Sequence, residues 1–307
     1  MNEYRYYELP VCYMGNGQQL KLPVHQFSGG EGPVVGITAC IHGDETIGAE
    51  IARRVVEFLK TTEVHGTIKV MPVANPLGFE VGLRNTPIDK NNMNRIFPGN
   101  PNGMVTDMQA NVIAKQFLAD LDTYIDLHSG GQDPVVDYAY VMNDEELSRA
   151  SLANILYRPV EDYVGTSATY TQPHNISTVT LEVGGGPNAE FYAQKGVKAV
   201  LNMLRLKKAI DGEVEKRDDQ IMISHIEHVN PHHGGLFVPA LTYDAVNTIV
   251  EGHVVLGRVY NPMTLELLEE IRAPYEKNYI ILMRGSINRI YAGDFSFMIG
   301  DLSSEIK

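Results

Sequence analysis

Three side chains in two short motifs have the types and placement of a metal site. His42 and Glu45 lie in IHGDE, directly after the apolar run from Pro33 to Ile41, and His128 follows another apolar segment in DLHSGG. Hydrolytic zinc is often held by two histidines and one carboxylate, which leaves a coordination position open for water. Each motif alone is weak, because H-x-x-E spacings and histidines after strands are common. Together they predict one zinc ion held by His42, Glu45 and His128.

A single glutamate stands out in a third apolar segment. Glu182 interrupts STVTLEVGGG immediately before three glycines. A carboxylate buried there without a partner would be costly, so its position needs an ionic or a functional reason. One interpretation is structural, with the carboxylate capping a following helix or pairing with an arginine. The other is that Glu182 lies beside the metal and acts as general base for the attacking water.

A long polar segment, VANPLGFEVGLRNTPIDKNNMNRIFPG, separates the two metal motifs. Long ordered loops tend to be functional, and this one contains Arg84 and the pair Asn94 and Arg95. The planar guanidinium of an arginine suits a substrate carboxylate, and a neighbouring asparagine amide can add a contact. The alternative is that both arginines are surface groups that pair with Asp89 or Glu80.

The elements that must position these side chains alternate between strands and helices. The run from Pro33 to Ile41 is typical of a central strand, and Thr46 to Lys60 has apolar residues at helical spacing. The same patterns predict strands at 67–73, 124–127, 138–141 and 178–183, and helices at 106–121, 145–157 and roughly 188–210. We therefore expect an α/β fold with a mostly parallel central sheet and helices on both faces. Such sheets bind ligands beyond the carboxyl ends of their strands.

The character of the chain changes after residue 210. DGEVEKRDDQ is charged and weakly apolar, as a linker or an exposed crossing would be. Beyond it, short runs of Val, Ile and Tyr are broken by Gly, Pro and Asn, which predicts short strands and tight turns. We therefore expect a catalytic domain at residues 1–212 and a small all-β domain at 213–307 that caps or flanks the active site.

Composition limits the partners and the location of the protein. The net charge is −13, from 25 Lys and Arg against 38 Asp and Glu, so no general attraction to nucleic acid or anionic membranes is expected. The N-terminus has no apolar signal region, and no run of about 18 apolar residues occurs. Two cysteines, Cys12 and Cys40, are few for a disulfide-bonded secreted protein. We expect a cytoplasmic protein whose partner is a small molecule.

Taken in order, the motifs resemble those of a known family. The aspartoacylase and succinylglutamate desuccinylase family has the same series along the chain: HGDE, Asn75-Pro76, Arg84, Asn94-Arg95 with IFPG, DLHSG and LEVGGG. The resemblance covers roughly residues 35–190, and a set of motifs in one order is far more specific than any single motif. Because these proteins belong to the zinc carboxypeptidase clan, it implies a zinc carboxypeptidase-like α/β fold followed by a β-rich C-terminal domain.

The resemblance implies a role for each matched position. His42, Glu45 and His128 match the ligands of one zinc ion, and Glu182 matches the catalytic glutamate. One departure concerns Asn92, because many family members have an aspartate there that orients the first zinc histidine. An asparagine oxygen can still accept the imidazole hydrogen bond, but it is uncharged and raises ligand basicity less, unless Asp89 takes over.

The substrate contacts are implied in the same way. Asn94 and Arg95 match the pair that holds the substrate carboxylate, and Arg84 matches the arginine that polarises the scissile carbonyl. We therefore expect a zinc-dependent deacylase that hydrolyses the amide bond of a small N-acyl amino acid or related carboxylate. The alternatives are a metallocarboxypeptidase that acts on short peptides and a non-catalytic protein that retains the fold.

The C-terminal part holds two further candidates. Four histidines cluster within nine residues: His225, His228, His232 and His233. A second metal site is one interpretation, but no thiol or carboxylate spacing supports it, and solvated strand and turn positions are the simpler one. Tyr275, in RAPYEKN, resembles a tyrosine with which aspartoacylases reach the substrate from this domain.

Overall fold

A computed structural model describes residues 2–306, which form a layered α/β structure. The strands within this range are β1 (Glu3–Tyr13), β2 (Gln19–Ser28), β3 (Gly30–Ala39), β4 (His65–Met71), β5 (Thr123–His128), β6 (Pro134–Val141), β7 (Ile155–Tyr157), β8 (Ser177–Gly184), β9 (Ile221–Ile223), β10 (Ile226–Val229), β11 (Gly235–Pro239), β12 (Ile249–Glu251), β13 (Val255–Tyr260), β14 (Leu267–Arg272), β15 (Lys277–Arg284), β16 (Asn288–Ile290) and β17 (Phe297–Asp301). The α-helices are α1 (Thr46–Leu59), α2 (Pro76–Val81), α3 (Val105–Val112), α4 (Glu145–Ala150), α5 (Ser167–Thr171) and α6 (Ala189–Leu206).

A thirteen-stranded sheet forms the centre of the molecule, with the order β1-β2-β4-β3-β5-β8-β6-β15-β17-β10 and with β7, β9 and β12 pairing beside it. The four neighbours β4, β3, β5 and β8 are parallel. On either side of them, β2, β6, β15, β17 and β10 join antiparallel. The prediction of a mostly parallel sheet is therefore wrong, and the sheet is mixed. One reason is the hairpin of β1 and β2, because a short turn pairs strands antiparallel.

Alternate residues of the central strands face two different layers. On β5, Ile125 and Leu127 belong to the apolar cluster that includes α1 and α6, whereas Tyr124 belongs to the cluster around α3. Helices thus pack on both faces of the sheet, as predicted. Asp126 and His128 follow Tyr124 at two-residue spacing and share its face. Asp126 and His128 therefore lie on the face opposite α1 and α6.

The helices agree with the sequence patterns in part. α1 has the predicted position and buries Ile47, Ile51, Val55 and Leu59 at helical spacing. The helix expected at 145–157 ends at Ala150, and residues 155–157 form β7 between β6 and β9. Within residues 2–306, no helix combines the length and the apolar character that crossing a membrane requires.

The C-terminal part is rich in strands, and it divides between two sheets. β11, β13, β14 and β16 form a separate four-stranded sheet with the order β14-β13-β11-β16. β10, β15 and β17 instead extend the central sheet beyond β6. The division into two domains at residue 213 stays a prediction.

Candidate active site

Two neighbouring strands bring the three predicted metal ligands together. His42 follows β3, Glu45 precedes α1, and His128 is the last residue of β5. Because β3 and β5 are paired in parallel, their carboxyl ends lie side by side. His42 Nδ1 lies 2.7 Å from Glu45 Oε1, and His128 Nδ1 lies 2.9 Å from Glu45 Oε2. All three side chains are buried, and we call them the ligand cluster.

The ligand cluster has the donor atoms and spacing of a zinc site. One ligand atom from each residue lies within 4.8 Å of the other two. Ligands that are about 2.0–2.1 Å from a tetrahedral zinc ion are about 3.3 Å from one another. The Nδ1 atoms of His42 and His128 are 3.2 Å apart. The residues therefore fit zinc, and the metal and the ligand roles stay predictions that this geometry supports.

The carboxylate of Asp126 contacts the His128 ring nitrogen that faces away from Glu45. His128 Nε2 lies 3.1 Å from Asp126 Oδ2 and 3.3 Å from Asn94 Nδ2. Asp126 also accepts hydrogen bonds from Thr38 Oγ1 at 2.8 Å and from Ser167 Oγ at 2.7 Å. A carboxylate that accepts the outer N–H of a metal-binding histidine fixes its tautomer and ring orientation. This network leaves Nδ1 of His128 facing Glu45.

The corresponding partner of His42 is an uncharged residue, Asn92. Asn92 Oδ1 lies 3.1 Å from His42 Nε2 and also accepts from the backbone N–H of Asn94 at 2.9 Å. Asp89 instead accepts from the backbone N–H and the hydroxyl of Thr106, at 2.9 and 2.6 Å. Asn92 therefore has the position expected of the orienting residue, and the carboxylate of Asp89 is engaged elsewhere.

The three side chains of the ligand cluster perturb one another strongly. Burial lowers the pKa of His42 to about 4. Burial also opposes protonation of His128, but the carboxylates of Asp126 and Glu45 outweigh it and raise the pKa of His128 well above its ordinary value. Burial opposes ionisation of Glu45, yet the two histidines hold its pKa well below the usual range. The ligand atoms of such a cluster must be deprotonated before they bind a metal ion, so metal binding is expected to depend on pH.

Glu182 lies next to the ligand cluster. On β8 it is the register partner of His128 on β5 and of Tyr138 on β6, and it lines the same cavity as the cluster. Burial raises the pKa of Glu182 to about 7, and the effect of Glu45 adds to that of burial while His128 and Arg84 oppose it. A carboxyl group with a pKa near neutrality is suited to accept and return a proton.

Neither the helix-capping role considered for Glu182 nor the surface ion pair considered for Arg84 matches the contacts of these residues. The N-cap of α6 is Asn188, so Glu182 does not cap that helix. Arg84 Nη1 donates to Glu45 Oε1 at 2.9 Å rather than to the acidic residues of its own loop. Arg84 is therefore attached to the ligand cluster through its carboxylate.

The predicted carboxylate-binding pair also reaches the cavity. Asn94 is buried and its Oδ1 accepts from the backbone N–H of Ser167 at 2.9 Å. Arg95 Nη1 donates to the carbonyl of Asn94 at 2.7 Å, and its guanidinium lies 5.4 Å from the centre of the Tyr163 ring. Because Arg95 is exposed at the cavity, its guanidinium is accessible to a ligand carboxylate.

One cavity of about 430 Å³ is lined by all seven predicted site residues. The rest of its wall comes from β6, β8, α5, loops and the C-terminal strands. It includes Tyr138, Tyr140, Tyr163, Ile226, His228, Leu282, Phe295 and Met298. These side chains are not predicted by the motifs. They surround the space beside Glu182 with mainly apolar and aromatic surface.

The four C-terminal histidines have different surroundings. His228 lines the cavity. The ring of His225 lies 6.1 Å from that of Tyr275, which packs there rather than in the cavity wall. The backbone N–H groups of the remaining two donate to the carboxylate of Glu269 at 2.9 and 3.0 Å.

Sequence reasoning missed two parts of the site. Asp126 precedes His128 by two residues, and this spacing on a strand places both side chains on one face, which is a signal that could have identified it. The apolar wall has no comparable local signal, because its members come from strands that are distant along the chain.

Comparison with known proteins agrees with this geometry. Residues 31–210 match the succinylglutamate desuccinylase/aspartoacylase catalytic domain, and the chain belongs to that family. The N-alpha-acetyl-L-2,4-diaminobutyric acid deacetylase of Halomonas elongata is 27% identical over 300 residues, which cover 92% of this chain and 86% of that protein. The product-bound ectoine utilization protein EutE (DoeB) from Ruegeria pomeroyi superimposes with a TM-score of 0.84 at 25% identity, over 97% of this chain and 95% of that one. A succinylglutamate desuccinylase from Silicibacter sp. TM1040 shares the fold, with a TM-score of 0.82 at 23% identity over 97% and 94% of the two chains.

Proposed function

We propose that this chain is a zinc-dependent deacylase that hydrolyses the amide bond of a small N-acyl amino acid. The observation that carries the proposal is the convergence of two imidazole nitrogens and a carboxylate beside Glu182, in a cavity that also contains Asn94 and Arg95. The relative from Halomonas elongata is, by its name, a deacetylase of an N-acetyl amino acid, which supports the same type of reaction.

Each site residue has a separate role in the proposed hydrolysis. Bound zinc would polarise the amide carbonyl and make water acidic enough to attack near neutral pH. Glu182 takes the proton from the attacking water and returns it to the leaving amine, and its pKa of about 7 in the metal-free protein supports this exchange. Arg95 and Asn94 hold the substrate carboxylate through charge-assisted hydrogen bonds. Arg84, beside Glu45, stabilises the negative charge that develops on the carbonyl oxygen.

A metallocarboxypeptidase would use the same residues on a longer substrate. We favour the deacylase because C-terminal side chains, including Ile226, Leu282 and Met298, form part of the cavity wall. A cavity of about 430 Å³ is of the size that encloses a small molecule. The protein should therefore cleave small N-acyl amino acids and leave peptides of about ten residues intact. Efficient trimming of such peptides would favour the carboxypeptidase, and inertness toward both substrates would favour a non-catalytic role.

Glu182→Gln tests the proposed mechanism directly. Glutamine keeps the shape of the side chain but cannot take a proton, so zinc content should stay near wild type while kcat falls by about 10²–10⁴-fold. The measurement is kcat per zinc-loaded, folded protein on an N-acyl amino acid. Glu213→Gln, at an exposed site in the charged segment after α6, is the matched control.

Two outcomes would contradict the assignment of Glu182. A kcat within threefold of wild type would remove Glu182 from the mechanism. Losses of thermal stability and zinc that account for the whole loss of activity would make its role structural.

A further inference from the structure

Three aromatic side chains form a continuous series that begins at the proposed carboxylate-binding arginine. The guanidinium of Arg95 lies 5.4 Å from the centre of the Tyr163 ring. Tyr163 Oη lies 3.3 Å from His228 Nε2, and the rings of His228 and Phe295 are 5.3 Å apart. All three line the cavity, and we call them the aromatic trio. Two of them are exposed to solvent, with relative accessibilities of 45% for Tyr163 and 50% for Phe295.

Exposed aromatic rings at the edge of a cavity indicate an apolar ligand. Aromatic side chains that remain partly open to solvent are common where a protein binds another molecule, because they offer large contact area at little entropic cost. The adjoining wall continues this character through Ile226, Leu282 and Met298. Burial lowers the pKa of His228, which favours the uncharged form of its ring.

The carboxylates and arginines that line the cavity are those of the proposed reaction, and one of them, Arg95, adjoins Tyr163. Among the lining residues within the described range 2–306, the carboxylates are Glu45 and Glu182, and the arginines are Arg84 and Arg95. Each of these four side chains already has a role in the proposed reaction, as metal ligand, general base or contact to the substrate. A substrate ammonium group would therefore find only carboxylates that the reaction uses, and a second substrate carboxylate would find only Arg84. Burying a charge without a partner is costly.

We propose that the aromatic trio is the subsite for the amino-acid side chain of the substrate, and that this side chain is uncharged and aromatic or long and apolar. This inference rests on the deacylase function proposed above. The contact between Arg95 and Tyr163 supplies the geometric reason. When the substrate carboxylate binds Arg95, the substrate Cα lies beside the aromatic trio, so the side chain on Cα meets Tyr163 first. This substrate differs from N-acetyl-2,4-diaminobutyrate, which carries an ammonium group, and from N-acylated acidic amino acids.

The first experiment compares substrates on the zinc-loaded, full-length protein. We expect kcat/KM for N-acetyl-L-phenylalanine and N-acetyl-L-leucine to exceed the values for N-acetyl-L-aspartate and N-acetyl-L-2,4-diaminobutyrate by at least tenfold. A preference for either charged substrate would overturn the aromatic-subsite proposal and leave the deacylase function intact. Failure of the zinc-loaded protein to cleave any member of the panel would instead refute the deacylase function.

The second experiment measures the trio itself. Phe295→Ala should lower the ratio of kcat/KM for N-acetyl-L-phenylalanine to that for N-acetyl-L-alanine by about two- to tenfold, the range expected for one aromatic contact. Phe191→Ala is the matched control, because Phe191 is a similarly exposed phenylalanine, 62% accessible, on α6 and outside the cavity. An unchanged ratio for Phe295→Ala, or an equal change in both variants, would overturn the proposal.

A binding measurement makes the subsite testable without turnover. Calorimetric titration of the zinc-loaded Glu182→Gln protein should show tighter binding of N-acetyl-L-phenylalanine than of N-acetyl-L-alanine, by about tenfold or more. Adding Phe295→Ala should remove most of this difference. Equal affinity of the Glu182→Gln protein for the two ligands would contradict the proposal that the aromatic trio binds the substrate side chain.

Discussion

The two predicted metal ligands His42 and His128 have different hydrogen-bond partners, and this asymmetry leads to a quantitative prediction. Asp126, a carboxylate, faces Nε2 of His128 at 3.1 Å, whereas Asn92, a neutral amide, faces Nε2 of His42 at the same distance. Asn92→Asp would give both histidines a charged partner. The new carboxylate can still accept from the backbone N–H of Asn94, now 2.9 Å from Asn92 Oδ1, so the local turn is retained.

The size of the effect follows from the hydrogen bond. A hydrogen bond to a charged group contributes about 1.5–3 kcal/mol, against about 0.5–1.5 kcal/mol for a neutral one. The difference of roughly 1–1.5 kcal/mol corresponds to about five- to tenfold in an equilibrium constant. Because Asn92 is only partly buried, the cost of placing a charge there is moderate. We therefore expect Asn92→Asp to tighten zinc binding by about five- to tenfold, and Asp126→Asn to weaken it by about ten- to hundredfold.

The assay is competition with a chromophoric zinc chelator at fixed pH and ionic strength. Asn91→Asp is the matched control, because it adds the same charge one residue away, where the backbone N–H donates to Asp89. If Asn92→Asp changes the zinc Kd by less than twofold, the orienting hydrogen bond does not limit affinity. If Asn91→Asp tightens binding equally, net charge rather than the contact to His42 explains the effect.

Three other variants test the remaining assignments. His128→Ala should abolish tight zinc binding and activity, and full metal content by elemental analysis would refute its role as a ligand. Arg95→Ala should lower kcat/KM by about ten- to two-hundredfold, with a much smaller loss for a substrate whose carboxylate is amidated, and equal losses would show that Arg95 does not bind the carboxylate. In metal-free protein the raised pKa of Glu182, about 7, makes this group destabilising as pH rises from the usual carboxyl range through 7, since the folded state then holds a partly buried charge. Glu182→Gln should therefore raise the Tm of chelator-treated protein by a few degrees at pH 8 and change it little at pH 4, and an equal shift at both pH values would contradict the cause given.

The clustering of His42, His128 and Glu182 at one edge of the sheet could be predicted because these residues stand where apolar segments end. His42 and His128 follow runs whose burial requires strands, and Glu182 is a charge within such a run. Parallel neighbours place their carboxyl ends together, so three motifs distant in sequence meet at one edge.

Other elements could not be predicted, because tertiary pairing decides them. Residues 155–157, Ile-Leu-Tyr, continue an apolar pattern that suits a helix as well as a strand. The chain leaves the helical conformation at Leu152, where φ is 60°, without a glycine or a proline to mark the break. Only the position between β6 and β9 makes this segment a strand.

The apolar wall depends on pairing over a still longer range. β15 joins the central sheet beside β6, with Leu282 opposite Val136, and β6 in turn pairs Tyr138 with Glu182 of β8. Neighbouring strands are about 4.8 Å apart, so β15 lies about 10 Å from the strand of the proposed general base. C-terminal side chains can therefore contact the part of the substrate that lies beside the reacting amide, although these side chains do not touch the ligand cluster. Under the proposed function, the predicted metal ligands and the general base lie on β3, β5 and β8 or directly after them, whereas β10, β15 and β17 supply residues of the apolar wall. We therefore expect substitutions in the C-terminal strands to alter the choice of substrate before they alter metal binding.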